Sequence, residues 1–75
     1  MSLTLYSTAG CHLCEEAQVL LAGLGVSAAV VDILDEPSLV AAYGERIPVL
    51  KRDGGQELGW PFDSEQLKAF LWQQS

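Results

Sequence analysis

Cys11-His12-Leu13-Cys14 lies between a short alternating apolar run and a stretch with helical apolar spacing, and it holds the only two cysteines of the chain. A Cys-x-x-Cys pair at a strand-to-helix junction, in a chain without secretory features, reads as a redox-active dithiol. Two other readings compete with it. A structural disulfide stabilises by closing a long loop in the unfolded chain, and a bridge across two residues closes almost none. Structural zinc needs four ligands, whereas the sequence offers two thiols and one histidine, His12, so a zinc or iron-sulfur centre would need a second chain to complete it.

With 75 residues, residues 1–75 are expected to form a single small domain. Apolar residues make up 49% and charged residues 19%, which places the chain among compact globular proteins and away from disorder. Ten acidic residues against four basic ones leave a net charge of -6, which repels phosphate backbones and anionic lipid. Nucleic acid and membrane are therefore excluded as expected partners. Neither a signal-peptide pattern nor an apolar run of about 18 residues is present, so a cytoplasmic monomer is expected, in a compartment where thiols rest reduced.

The local patterns give an ordered set of elements. Leu3-Thr4-Leu5-Tyr6 alternates as a strand and ends in Ser7 to Gly10. From Leu13, the residues Ala17, Leu20, Leu21 and Leu24 recur at spacings of three and four, a helix stopped by Gly23 and Gly25. Ala28 to Ile33 is a continuous apolar run, as for a strand covered on both faces. Asp35-Glu36-Pro37 supplies a cap and a first-turn proline for a short helix over Ser38 to Tyr43, closed by Gly44. Arg46 to Arg52, Asp53-Gly54-Gly55 and Gln56 to Gly59 read as strand, tight turn and strand, with Asp-Gly supplying the positive φ angles. Asp63 begins the last helix: Gln66 completes a capping box, Phe62 staples onto Leu67, and Leu67, Phe70 and Leu71 form the buried face.

This order, with Cys-x-x-Cys at the first helix and Ile47-Pro48 entering the third strand, resembles the glutaredoxin branch of the thioredoxin fold. The match is most similar to small bacterial glutaredoxin-like proteins, on Leu5-Tyr6, Cys11-His12-Leu13-Cys14, Ile47-Pro48-Val49 and Trp60-Pro61-Phe62. The resemblance implies an α/β thioredoxin fold, β-α-β-α-β-β-α, with a four-stranded mixed sheet and helices on both faces. It also implies a central first strand, a parallel second, antiparallel third and fourth strands, and a cis bond before Pro48. From the residues alone, a trans proline at a strand's start fits as well.

In that family's chemistry, Cys11 would attack a disulfide or a glutathione mixed disulfide and Cys14 would resolve it. A helix N-terminus, with unsatisfied N–H groups and a positive dipole end, favours a thiolate at Cys11. His12 reads equally as a group that stabilises the thiolate when protonated or as an exposed helix-start residue. Glu15 and Glu16 read as a solvated first turn. By the same resemblance, Ile47 and Pro48 would present backbone to a peptide or glutathione. Arg46 would replace the lysine that glutaredoxins carry before the pair, since Ser7-Thr8-Ala9-Gly10 has no cation, or would lie on the surface. Asp63 would meet an amine or serve only as a cap, and Trp60 and Phe62 would select a protein partner or pack on the last helix. Weak glutathione affinity is expected. No bound cofactor is anticipated; glutathione or a disulfide-containing protein would be the partner. A metal or iron-sulfur module through Cys11 and Cys14, and a redox-silent interaction domain, stand as alternatives.

Overall fold

The structure, a computed structural model, describes residues 3–72; residues 1–2 and 73–75 of the expected domain lie outside the described residues. Strand β1 (Leu3–Ser7) alternates buried and half-buried side chains. The alternation divides the molecule, because successive residues of a strand point to opposite faces. Strand β1 pairs in parallel with β2 (Ala29–Asp32), placing Leu5 opposite Val30, and antiparallel with β3 (Val49–Arg52), placing Leu5 opposite Leu50. Strand β4 (Glu57–Gly59) joins β3 antiparallel, giving the order β2-β1-β3-β4.

Helices cover both faces, as anticipated. On the Leu5 face, Ala17 and Leu21 of α1 (His12–Gly23) pack with Leu50 and with Leu67, Phe70 and Leu71 of α3 (Ser64–Leu71). The opposite face carries Tyr43 of α2 (Pro37–Tyr43) with Ile33, Val49 and the flanking Tyr6, Leu39 and Ile47. Leu5, Leu50 and Leu67 are fully buried, and each such leucine stabilises the fold by roughly 2 kcal/mol. The last helix begins as the sequence implies. Asp63 accepts the Gln66 N–H at 2.8 Å, and the Gln66 side chain accepts the Asp63 N–H at 3.1 Å.

Four local expectations are corrected. The Ala28 to Ile33 run is not covered on both faces: β2 is an edge strand with one neighbour, and Val30 is 52% exposed. It ends at Asp32, whose carboxylate accepts the Leu34 N–H at 2.9 Å and starts a 3-10 turn (Ile33–Asp35) that buries Ile33. Pro37 stands in the first turn of α2 as anticipated, but the helix starts there and not at Ser38, and its cap, Glu36, makes no side-chain bond. In the hairpin, the Gly55 N–H donates to the Arg52 carbonyl at 2.9 Å and the positive φ falls on Gly55, at 89°, rather than on Asp53 or Gly54. A three-residue loop with its last residue left-handed reconciles the turn with the twist of the strands, and glycine meets that demand without a Cβ clash.

Candidate active site

The loop after β1 sets up the cysteine pair. Gly10 has φ of 77°, a conformation that side chains disfavour, and it delivers Cys11 to the cap position of α1 in extended backbone. The Cys11 Sγ accepts the N–H of Cys14 at 3.2 Å, so the sulfur fills the place of a capping oxygen at an otherwise unsatisfied donor. Cys11 remains partly exposed, whereas Cys14 is 2% exposed. Burial, then the hydrogen bond its own thiol donates to the Cys11 sulfur and the Cys11 charge, push the Cys14 thiol up to about 11, against an opposing hydrogen bond with the Thr8 backbone. The two thiols are thus unequal by construction.

Two depressions flank the pair. A hollow of about 320 Å³ opens onto Cys11 and Cys14 between the loop after β1, the Glu15 and Gln18 side of α1, and Val30 and Asp32 of β2. A larger groove of about 580 Å³ runs along the other side of α1, from His12 and Glu15 past Val19 to Trp60 and Asp63. Glu15 lines both. His12 is 84% exposed and directs Nε2 to Glu16 at 3.5 Å, an i,i+4 pair.

The remaining residues singled out in the sequence fall on two sides. The Ile47-Pro48 bond is cis, Pro48 is fully buried, and its carbonyl accepts the Trp60 N–H at 3.1 Å, tying this loop to the groove wall. The Ile47 N–H donates to the Tyr43 carbonyl at 3.2 Å. Trp60 packs edge-to-face on Phe62, with ring centroids 5.0 Å apart, and both line the groove with Asp63. Arg46 lines neither depression. It bonds Glu57 at 3.1 Å and lies over the Tyr43 ring at 5.3 Å.

That last cluster was not visible in the sequence. Tyr43 stacks on Tyr6 with centroids 4.6 Å apart, and its hydroxyl donates to Glu57, fastening the end of α2 to β4. The Tyr43 hydrogen bond, aided by Arg46, holds the Glu57 carboxyl below its ordinary range against the opposing effect of burial. The same bond, with burial, pushes Tyr43 up to about 12. The second cis bond, Trp60-Pro61, was also unforeseen. Tyr43 and Glu57 lie 14 positions apart, and only the register of the β3–β4 hairpin brings them together.

Among the described residues, no group of three or more His, Cys, Asp or Glu side chains is gathered to hold a metal ion. No helix among them is long and apolar enough to cross a membrane. The model of the Glutaredoxin-like domain (DUF836) family matches residues 2–72. Uncharacterized protein Rv0508 of Mycobacterium tuberculosis is 31% identical over 74 residues, spanning 87% of this chain and 76% of that protein. The X-ray structure of target protein XcR50 from X. campestris superposes with a TM-score of 0.91 at 43% identity, covering 99% of this chain and all of that one (100%). Glutaredoxin grx-1 of Archaeoglobus fulgidus shares the fold at a TM-score of 0.69 and 18% identity, over 95% of this chain and 86% of its own. Because the family model spans residues 2–72, the chain belongs to the glutaredoxin-like domain family, and it carries its cysteine pair on a thioredoxin fold.

Proposed function

We propose that the protein is a thiol-disulfide oxidoreductase of glutaredoxin type, with Cys11 attacking and Cys14 resolving. One observation carries the reading: a partly exposed Cys11 sulfur caps α1 and accepts the N–H of a buried Cys14 one turn on. The exposed sulfur is the one a substrate disulfide reaches, and the buried thiol one turn on is placed to displace the product from it.

In the first step the Cys11 thiolate attacks one sulfur of a substrate disulfide. A Cys11 mixed disulfide forms, and the other substrate sulfur leaves as a thiolate that takes a proton from solvent. Cys14 then gives up its proton and attacks the Cys11 sulfur. The second substrate thiol departs, and the two electrons of the dithiol have reduced the substrate while an internal disulfide remains. Two of the effects that keep Cys14 protonated, the hydrogen bond and the charge of Cys11, come from Cys11 itself. Both diminish once Cys11 is tied up in a mixed disulfide, so resolution is promoted by the step that precedes it.

Glutathione or a disulfide-containing protein is the substrate in this reading, with Ile47, Pro48, Trp60 and Asp63 on the binding side and the cytoplasm as the compartment that re-reduces the pair. His12 faces Glu16, which favours an exposed surface role over tuning of Cys11. Arg46 is engaged by Glu57 and Tyr43, which favours a structural role over contact with a substrate carboxylate. The test is a pair of variants given an excess of an alkyl disulfide. Cys14→Ser should accumulate a mixed disulfide on Cys11, seen by intact mass, and Cys11→Ser should turn over nothing. Turnover by Cys11→Ser would end the reading.

A further inference from the structure

We propose that the groove between α1 and the loop from β4 to α3 docks a basic, apolar segment of a disulfide-bearing protein. The redox consequence of this docking rests on the oxidoreductase reading above; the binding itself rests on the groove. Its floor is apolar: Val19 is 70% exposed on the outer face of α1, Leu20 is half-buried beside it, and the half-buried Trp60, packed on the core residue Phe62, forms the facing wall. A volume of about 580 Å³ falls within the range of ligand-binding clefts.

The rim fixes the charge of the occupant. Glu15, Glu16 and Asp63 line the groove together with one imidazole, His12, which is turned to Glu16 at 3.5 Å, and Glu15 and Asp32 line the hollow at the cysteines. The chain has four basic residues, Arg46, Lys51, Arg52 and Lys68, and none of them lines either depression. Arg46 is held by Glu57, and Arg52 by Gln56 and the Phe70 carbonyl. Glutathione, with two carboxylates against one ammonium, brings net negative charge to a face lined by carboxylates, whereas a lysine- or arginine-bearing segment is drawn to it. Because Glu15 borders both depressions, a chain seated on Val19 and Trp60 that continues past Glu15 carries its disulfide to Cys11.

Reduced protein is reacted with three disulfides at low ionic strength: uncharged hydroxyethyl disulfide and the disulfide-linked dimers of two end-blocked peptides, Lys-Phe-Cys-Lys and Glu-Phe-Cys-Glu. The cationic dimer should react at least about tenfold faster than the anionic one, and added salt should shrink the ratio. In the double variant Glu15→Gln, Glu16→Gln the ratio should collapse. Equal rates in the unmodified protein, or an undiminished ratio in the double variant, overturn the proposal. In parallel, the same peptides with serine in place of cysteine are titrated into 15N-labelled protein. The cationic peptide should shift the amides of Val19 and Leu20 and the Trp60 indole, and the anionic peptide should not. Absence of exchange with hydroxyethyl disulfide defeats the oxidoreductase reading alone, and the titration then decides the docking: shifts at these three residues uphold it, and none overturns it.

Discussion

Carbamidomethylation at pH 7 should label Cys14 at least about a hundredfold more slowly than an ordinary thiol. A thiol at the ordinary value of 9.0 is about 1% ionised at pH 7, and one pushed up to about 11, as Cys14 is, is about 0.01% ionised. Only the thiolate reacts, so the difference enters the rate directly, and the 2% exposure of Cys14 adds occlusion to it. The assay is an intact-mass time course with iodoacetamide followed by peptide mapping. One label should appear quickly, on Cys11, and the second should wait, until urea abolishes the difference. Cys11→Ala removes the hydrogen bond and the charge that Cys11 contributes, so the labelling profile of Cys14 should move to lower pH yet stay above 9.0, because burial, the largest cause, persists. The same shift fixes a stability window. The folded state holds the Cys14 proton more tightly than the unfolded state, so this stabilisation is complete below pH 9 and is lost as pH rises from 9 to about 11, about 3 kcal/mol in all. Comparable labelling of both cysteines in the folded protein at pH 7, or a Cys14 profile indifferent to Cys11→Ala, would refute the reasoning.

Other perturbations follow from the same structure. Tyr43→Phe deletes the hydrogen bond to the Glu57 carboxylate and should lower stability by about 2 kcal/mol in urea unfolding. Because the Glu57 carboxyl is held below its ordinary 4.5, its contribution is present above that pH and lost as pH falls through the folded value; Tyr43→Phe should flatten this acid limb. Asp63→Ala removes the capping box and should lower stability by about 1 kcal/mol, whereas Asp63→Asn keeps an acceptor for the Gln66 N–H and should retain most of it.

The fold was legible wherever local chemistry and periodicity agreed. Asp63 and Gln66 announced the start of α3, and the spacing of Ala17 and Leu21 marked the buried stripe of α1. The Ala28 to Ile33 run misled because an unbroken apolar stretch reports hydrophobicity and not the number of neighbouring strands. Ile33 is buried beyond the end of the strand, in the 3-10 turn, while Val30 lies on an edge. The cysteine pair was legible from its spacing and from the strand and helix on either side. The fastening of Tyr43, Arg46 and Glu57 was not, since it depends on contacts 11 and 14 positions apart that no local pattern encodes. Of the groove, Trp60, Phe62 and Asp63 were legible as a partner-facing set, but the side of α1 that faces them was not, for the same reason. Val19 reads as an unremarkable helical residue until the loop carrying Trp60 is placed opposite it.

The most direct test of the redox account is to equilibrate the protein across a series of glutathione and dithiothreitol redox buffers and read its intact mass after acid quenching. Cys11 and Cys14 should join with a reversible loss of two hydrogens at a single midpoint, and Cys14→Ser should show no such change. A protein that stays a dithiol at every potential, forming neither an internal disulfide nor an adduct on Cys11, would contradict the redox account.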